Sequence, residues 1–576
     1  MILADQKKID EYTAKGYWGT KTLYDLFLEN VRNKPTALAA VDPLNREAIC
    51  SGAPQRFTYE QLQEKVEQLS AFLLKTGIRK EDIVGIQLPN TVELLMTYLA
   101  ILRIGAIATP FPVQYRKHEY RTLLNFTEAK AVITMTNIFK HDAAQDFIDV
   151  KQEVSSLETI FAWGDNPPVD AVSLENLDLT VEDLQQANEI CASVTNTPND
   201  VFTICWTSGT EGSPKGVPRT HNEWCISAYA SVDAVGFVED DILLNTFPMV
   251  NMAGLGGMFV PWLLTGCTLI MHHPFDLPTF LKQIAIERAT YTLAPPALLN
   301  MMLNNEDILK AADFSSLRAI GSGSTPLSPW MVKGWDEKFG ISIVNYFGSN
   351  EGATFISDPR DIPDAEQRAN FFPRLGVEGI NWSTRIAHYF ESKIVDTETG
   401  DTITEIGMPG EMRIKGASVF PGYWRQEDVN REIFDKDGFF CTGDLFEIIE
   451  KEGEAKFYRF VGRTKEIIIR GGVNISPGEV EYLLHLHPKV ADVSIVGVPD
   501  EHMGEKACAC IVLKNPAETL SIVEIIQYFK DHDYAIYKIP EYIHFLEELP
   551  RNPVGKIMKF HLQQLVIDST QQSLEA

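Results

Sequence analysis

The chain has 576 residues, of which 45% are hydrophobic and 23% charged, the make-up of a globular protein and more chain than one hydrophobic core serves, so more than one domain is expected. Its formal net charge of -28 excludes a protein that coats nucleic acid or an anionic membrane, because either needs a basic face. The N-terminus turns charged at once (Met1-Ile2-Leu3-Ala4-Asp5-Gln6-Lys7-Lys8) and the longest apolar stretch, Met258 to Met271, is interrupted by Pro261 and Gly266, which predicts a cytoplasmic protein with neither signal peptide nor transmembrane segment.

Helices and strands alternate through the first part of the chain. Thr58-Tyr59-Glu60-Gln61 has the form of a capping box, and Leu62, Val66, Leu69, Phe72 and Leu73 recur at helical spacing until Gly77. Ile83 to Leu88 reads as a buried strand ended by Pro89-Asn90, and Thr91 to Gly105 as an apolar helix. This alternation predicts a doubly wound sheet with helices on both faces, whose ligands sit at the carboxyl ends of the strands. Residues 164–200 are polar and acidic, with Pro167, Pro168 and Pro198, and read as a loosely packed excursion.

The apolar run Val201 to Trp206 then empties into Thr207-Ser208-Gly209-Thr210-Glu211-Gly212-Ser213-Pro214-Lys215-Gly216. Small, hydroxylated and glycine residues after a strand leave backbone N–H groups pointing one way, which suits an anion. The Walker pattern does not fit, because Pro214 stands where it needs Gly and Gly216 where it needs Ser or Thr. On these residues alone, a phosphate loop and an ordinary surface turn both stay open. Pro218-Arg219-Thr220-His221-Asn222 begins a helix capped by Thr220 or Asn222, and His221 reads as structural rather than catalytic.

Asp241 to Asn245 and Thr290 to Ala294 continue the alternation. Ala319 to Leu327 leaves a strand through Gly321, Gly323, Ser324 and Thr325, as needed where backbone approaches a ligand closely. In Ile343 to Gly352 an aromatic pair, a glycine turn and a carboxylate offer either a stacking surface for a purine with an oxygen ligand for Mg2+, or a hairpin with a surface glutamate. Asp437 to Asp444 sets a carboxylate after a glycine turn, where it can accept from two ribose hydroxyls. The domain boundary is placed at Lys465, dividing 1–464 from 465–576. The remainder reads β-α-β-β-α, with Glu479 to Leu486 and Ile522 to Phe529 helical, and Val493 to Val498 and Ala507 to Leu513 as strands. It closes on Arg551 to Ile557, which holds Lys556 in a Pro/Gly loop. The eight cysteines are scattered, and Cys508 with Cys510 lacks a second close pair, so buried reduced thiols are expected rather than a zinc site.

The run Thr207 to Gly216 resembles the signature of the adenylate-forming superfamily, which includes acyl-CoA synthetases, firefly-type luciferases and the adenylation domains of peptide synthetases. The later motifs follow in that family's order and spacing over nearly the whole chain. The resemblance implies an α/β fold: a large N-terminal domain of doubly wound sheets with a β-barrel-like part, and a small mobile α+β C-terminal domain. It also implies residue roles. Thr207, Ser208, Gly209, Thr210, Gly212 and Lys215 would wrap the β- and γ-phosphates of ATP, and Gly323, Ser324 and Thr325 would line adenosine and the acyl pocket. Asn345, Tyr346, Phe347, Gly348 and Asn350 would bind the nucleotide, Asn345 meeting the adenine amino edge, Phe347 replacing the stacking tyrosine and Asn350 the threonine at the α-phosphate. Glu351 matches the Mg2+-linked glutamate, Asp444 the ribose-binding aspartate and Arg463 its partner. Lys465 falls on the hinge, Lys556 on the lysine that bridges carboxylate and α-phosphate, and Gly471-Gly472 on the loop along which pantetheine enters.

Asn251 stands where many relatives carry a histidine at the mouth of the acyl pocket, with Gly254 beside it. Pro218 to Asn222 is similar to aryl-acid ligases of the dihydroxybenzoate type, whereas Asn251 to Met258 is similar to an aliphatic or alicyclic acid pocket of small and flexible side chains. No acidic residue stands there to pair with an amino-acid ammonium, so a plain carboxylic acid is expected. The implied activity is ATP- and Mg2+-dependent formation of acyl-AMP followed by transfer to coenzyme A, by a monomer or homodimer. The alternatives are a stand-alone ligase that loads an acyl carrier protein, and a non-catalytic nucleotide-binding relative. The presence of Lys556 and Glu351 weighs against the latter.

Overall fold

The computed structural model describes the whole chain except residues 208–213, 471–472, 501, 533, 535, 553–554 and 576, and the side chains of 465, 473–474 and 570–575 are also outside the description. Among the described residues the strands form four sheets. Seven strands build the first, in the order Val172–Ser173, Thr159–Trp163, Ala131–Met135, Ile83–Ile86, Ile107–Pro110, Val201–Thr207 and Lys215–Thr220. All pairings are parallel except the last. Eight strands build the second, running Thr354–Ser357, Ser342–Gly348, Ala319–Gly323, Tyr291–Leu293, Ile242–Asn245, Thr268–Met271, Leu38–Val41 and Arg56–Thr58, with antiparallel strands only at its two edges.

Both faces of this second sheet are covered. Leu243, Tyr291 and Val344 join the large central core, while their neighbours Leu244, Ile320 and Ile343 join a separate cluster with Trp335. Burial on both sides explains why these strands read as continuous apolar runs rather than alternating ones. A third, antiparallel sheet of six strands includes Gly410–Gly416, Phe440–Lys451 and Glu454–Arg463, and forms the half-barrel. Gly410–Gly416 alternates buried and half-buried residues, as a sheet with one covered face does. After the turn Thr464–Glu466, the fourth sheet takes Ile468–Arg470, Val473–Ile475, Val490–Asp500, Gly504–Leu513 and Tyr542–Phe545, around a core of its own that includes Val480, Leu484, Ile495, Ile511 and Phe529.

The helix read from the Thr58 capping box runs Tyr59–Lys75, with both reciprocal bonds of the box formed. The apolar helix runs Val92–Ile104 and stops at Gly105, which takes the left-handed conformation. Two expectations are corrected. Residues 164–200 are not a loose excursion: a capping box at Thr180 starts the helix Val181–Ser193, and Lys75 Nζ of the Tyr59–Lys75 helix sits 3.1 Å from Asp183. To the expected β-α-β-β-α order the C-terminal part adds two strands, Val473–Ile475 and Tyr542–Phe545, and a last helix, Lys559–Glu575. The cysteines are all free, and among the described residues no helix is long and apolar enough to cross a membrane.

Candidate active site

The site forms where the strands of the second sheet end. Ser342–Gly348 turns back into Thr354–Ser357, Gly348 pairing with Thr354, so Asn350 and Glu351 occupy a hairpin turn. Gly352 in that turn has φ +114, and a Cβ there would lie 2.1 Å from the Ser418 carbonyl oxygen, so only glycine lets the turn press on the 416–420 loop. The loop answers with two bonds: Phe420 N donates to Glu351 O at 3.0 Å and Ser418 Oγ donates to Gly352 O at 2.9 Å.

Glu351 is 8% exposed. Tyr423 Oη donates to its Oε1 at 3.0 Å, and burial together with the Glu351 charge lifts the Tyr423 phenol far above its ordinary range. Lys215 Nζ lies 4.9 Å above the ring of the same tyrosine. Tyr423 therefore touches both the glutamate and the lysine of the candidate phosphate loop. Sequence reasoning missed it, and an aromatic in a Pro-Gly-Tyr-Trp turn carries no signal of a bond to a residue that far away.

Asn350 ties three segments together. Its Nδ2 donates to Trp206 O at 3.3 Å, its Oδ1 accepts from Met252 N at 2.9 Å, and its carbonyl accepts from Arg219 Nη1 at 2.6 Å. Arg219, also missed, is completely buried. Its Nη2 donates to Glu223 O at 2.9 Å and Ser227 Oγ at 2.8 Å, and its guanidinium lies 4.8 Å over the Trp224 ring. Burial lowers the Arg219 guanidinium and raises the Glu223 carboxyl, with each partner's charge opposing the shift. The only trace in the sequence is Arg219, Glu223 and Ser227 at four-residue spacing.

His221 is buried, and its Nδ1 accepts from Leu23 N at 3.1 Å. Desolvation brings its pKa down to about 4. That makes it a neutral tie between the first turn of its helix and Leu23, in line with the structural reading.

Asp444 projects from a bulge. The strands Gly410–Gly416 and Phe440–Lys451 pair Glu411 with Leu445 but Arg413 with Cys441, which leaves Thr442, Gly443 and Asp444 opposite Met412 alone. Asp444 is buried, and its Oδ1 sits 3.0 Å from Arg463 Nε on the next strand. No hydrogen bond forms to that oxygen among the described residues. Burial pushes the Asp444 carboxyl up to about 6, against the pull of Arg463 and Lys556. Burial also disfavours the Arg463 cation, yet Asp444 and Glu466 outweigh it and hold that group above its usual range.

Lys556 arrives from the C-terminal sheet's side. Its backbone N–H donates to Asn552 Oδ1 at 2.8 Å and its carbonyl accepts from Asn552 N at 2.8 Å. Burial, then the Arg463 charge, lowers its ammonium, with Glu466 and Asp444 opposing. Lys556, Asp444 and Arg463 thus share one electrostatic neighbourhood. Nearby, Lys559 Nζ pairs with Glu466 at 3.3 Å and Glu481 at 2.8 Å, anchoring the last helix beside it.

Along Ser342–Gly348 the side chains alternate between faces. Asn345 Nδ2 donates to the carbonyls of Arg368 (3.1 Å) and Ala369 (3.0 Å), which fixes the amide so that Oδ1 is the atom left to accept. Phe347 stands edge-on to Phe446 at 5.0 Å. Tyr346 points the other way, where Tyr291 Oη donates to its Oη at 3.0 Å. Ser324 and Thr325 follow Gly323 in a turn in which Ser324 has φ +73, and a Cβ at Gly323 would meet Tyr346 O at 2.2 Å. Asn251 caps a short helix, its Oδ1 accepting from Ala253 N and Gly254 N, while Gly254 lies against the Pro248 backbone. Thr207 ends its strand paired with Lys215. Ser208, Gly209, Thr210, Gly212, Gly471 and Gly472 lie outside the described residues, as does the Lys465 side chain.

Comparison with known proteins gives the family. The AMP-binding enzyme family matches residues 29–424, and the AMP-binding enzyme C-terminal domain matches residues 479–556. The chain is 30% identical to the medium-chain fatty-acid–CoA ligase of Escherichia coli K12, over 96% of this chain and 92% of that one. It is 32% identical to the indoleacetate–CoA ligase of Aromatoleum aromaticum, over 90% and 95%. It is 29% identical to the vibriobactin-specific 2,3-dihydroxybenzoate-AMP ligase of Vibrio cholerae, over 96% and 95%. Its fold matches the structure of the anthranilate CoA ligase AuaEII in complex with anthranoyl-AMP, with a TM-score of 0.77 at 23% identity over 95% of this chain and 99% of that one. Matched along both its parts and over nearly its full length, the chain belongs to the AMP-binding enzymes, the adenylate-forming superfamily, and is a ligase.

Proposed function

We propose that the protein activates a plain carboxylic acid with ATP as acyl-AMP, releases pyrophosphate, and passes the acyl group to coenzyme A. The observation that carries this reading is Lys556 sharing an electrostatic neighbourhood with Asp444 and Arg463 across the boundary between the half-barrel and the C-terminal sheet. Residues 1–464 would form the part that binds nucleotide and acid, and 465–576 the mobile part. In support, the half-barrel ends at Arg463 and the next sheet starts at Ile468.

In the first half-reaction a carboxylate oxygen attacks the α-phosphorus, and the bond to the bridging oxygen breaks so that pyrophosphate leaves. Nucleophile and target are both anionic, so positive charge must already stand where they meet. Lys556 would supply it. Asp444, whose buried Oδ1 faces Arg463 and accepts no hydrogen bond among the described residues, suits the ribose hydroxyls, Asn345 Oδ1 the adenine amino group, and the Phe347 ring the base. Asn350 would lie at the α-phosphate and Thr207 to Lys215 around the others. Tyr423 engages Oε1 of Glu351, and among the described residues no hydrogen bond occupies Oε2, which fits a hard cation's preference for carboxylate oxygen. Mg2+ bound there would neutralise phosphate charge.

In the second half-reaction the thiol sulfur attacks the acyl carbon, the acyl–oxygen bond breaks, AMP leaves, and the thiol proton passes to solvent. Lys556 would then obstruct the thiol. Rotation about Lys465 would withdraw it and bring Gly471-Gly472 to the pantetheine arm. The names of the Escherichia coli and Aromatoleum aromaticum relatives support coenzyme A as acceptor.

The test is pyrophosphate release with Mg-ATP across fatty, alicyclic and aryl acids, with and without coenzyme A. Turnover with one acid that multiplies on adding coenzyme A is expected. A single stoichiometric burst unaffected by coenzyme A would transfer the acceptor role to a carrier protein, and silence with every acid would contradict adenylation.

A further inference from the structure

The face of the eight-stranded sheet that carries Tyr291 and Tyr346 has little side-chain volume beside the Asn350–Glu351 turn, because Gly321, Gly323 and Gly348 stand there. The gap at Gly321 is filled from both flanking strands. A Cβ on Gly321 would lie 2.2 Å from Tyr291 Oη, 2.5 Å from Leu293 Cδ2 and 2.8 Å from Tyr346 Cε2. The two phenols are joined hydroxyl to hydroxyl at 3.0 Å, Tyr291 donating. Tyr291 is wedged edge-on against Phe237 at 4.8 Å. The two strands that flank Gly321 are therefore joined by a ring that cannot swing aside without unpairing the hydroxyl of the buried Tyr291.

On the side nearer the turn the walls are softer. A Cβ on Gly256 would lie 2.7 Å from Met252 Sδ and 3.3 Å from the Trp224 ring, and one on Gly348 would lie 3.5 Å from Met252 Cγ. Met252 is itself tied through its N–H to Asn350 Oδ1. The space for an acid that starts at Asn350 is thus bounded by an unbranched, flexible methionine near its mouth and by the fixed tyrosine pair at its end.

We infer that Tyr346 is a specificity-determining residue, closing the acid pocket together with Tyr291 so that the enzyme takes compact acids, short-chain or single-ring, and excludes long straight chains. The inference rests on the proposed adenylation at this site and names its substrate class. The Tyr346 ring sets the size limit, and its hydroxyl locks the ring in place.

The test measures binding of non-hydrolysable acyl-sulfamoyl adenosines (cyclohexanecarbonyl, hexanoyl and dodecanoyl) to the full chain by calorimetry, alongside pyrophosphate release with the parent acids. Wild type should bind the two compact analogues at least about tenfold more tightly than the dodecanoyl one, the size of effect that a few misfitting methylenes produce. Tyr346→Ala should erase most of that ratio, and Tyr346→Phe, which keeps the ring, should retain most of it. Equal binding of all three analogues by wild type, binding of none, or an unchanged ratio in a folded Tyr346→Ala protein would overturn the inference. If Tyr346→Ala does not fold, the wild-type order decides. The predicted order of binding without pyrophosphate release from any acid would support the size limit and count against the adenylation reading alone.

Discussion

Replacing Tyr423 by phenylalanine deletes a single atom, the hydroxyl oxygen that donates to Glu351 at 3.0 Å. Both residues are only 8% exposed, so water cannot readily take its place. A hydrogen bond to a charged acceptor contributes about 1.5–3 kcal/mol, which corresponds to roughly 10- to 150-fold in rate if the bond holds Glu351 in its working orientation. Phenylalanine keeps the ring under Lys215, whose ammonium lies 4.9 Å from the centroid. Leucine removes that as well, and the lost cation–π contact, about 0.5–1 kcal/mol, should add a further factor of about two to five. The assay is pyrophosphate release at varied Mg2+ and ATP, in which Tyr423→Phe should also need more Mg2+ to reach its half-maximal rate. Activity of Tyr423→Phe within about twofold of wild type, with an unaltered Mg2+ requirement, would refute the positioning role.

Arg219→Met should cost about 3 kcal/mol of stability in urea unfolding, because it strips a buried charge that serves the Asn350 carbonyl and faces Glu223; a loss below about 1 kcal/mol would mean the cluster does not depend on it. The Asp444 carboxyl, raised from 3.8 to about 6, predicts that KM for ATP rises as pH falls through about 6, since protonation removes an acceptor. The sign for stability is opposite: a raised pKa means that protonation favours the fold, and this group's contribution grows as pH falls from about 6 towards 3.8. Asp444→Asn should bind ATP weakly without that acid limb, and a wild-type KM flat across this range would contradict the role.

Local signals carried much of the fold. The capping box at Thr58 and the glycine stop at Gly105 mark their helices because neighbours in sequence satisfy those helix ends. The helix Val181–Ser193 was hidden by its polar, acidic surroundings, although the Thr180–Asp183 box that starts it was there to be read. What sequence could not supply is the pairing between distant elements. Arg219 meets Asn350 across 131 positions, Tyr423 meets Glu351 across 72, and Tyr291 meets Tyr346 across 55. Such contacts depend on strand order and register, which no local pattern encodes. Asn350 and Glu351 stood out as residues of a glycine turn, while the side chains that hold them in place did not.

The central claim is that one lysine serves one half-reaction. Lys556→Ala should be assayed both for acyl-AMP formation, by pyrophosphate release, and for thioester formation from supplied acyl-AMP and coenzyme A. The account predicts near-complete loss of the first with the second spared. Equal loss of both, or survival of the first, would contradict it.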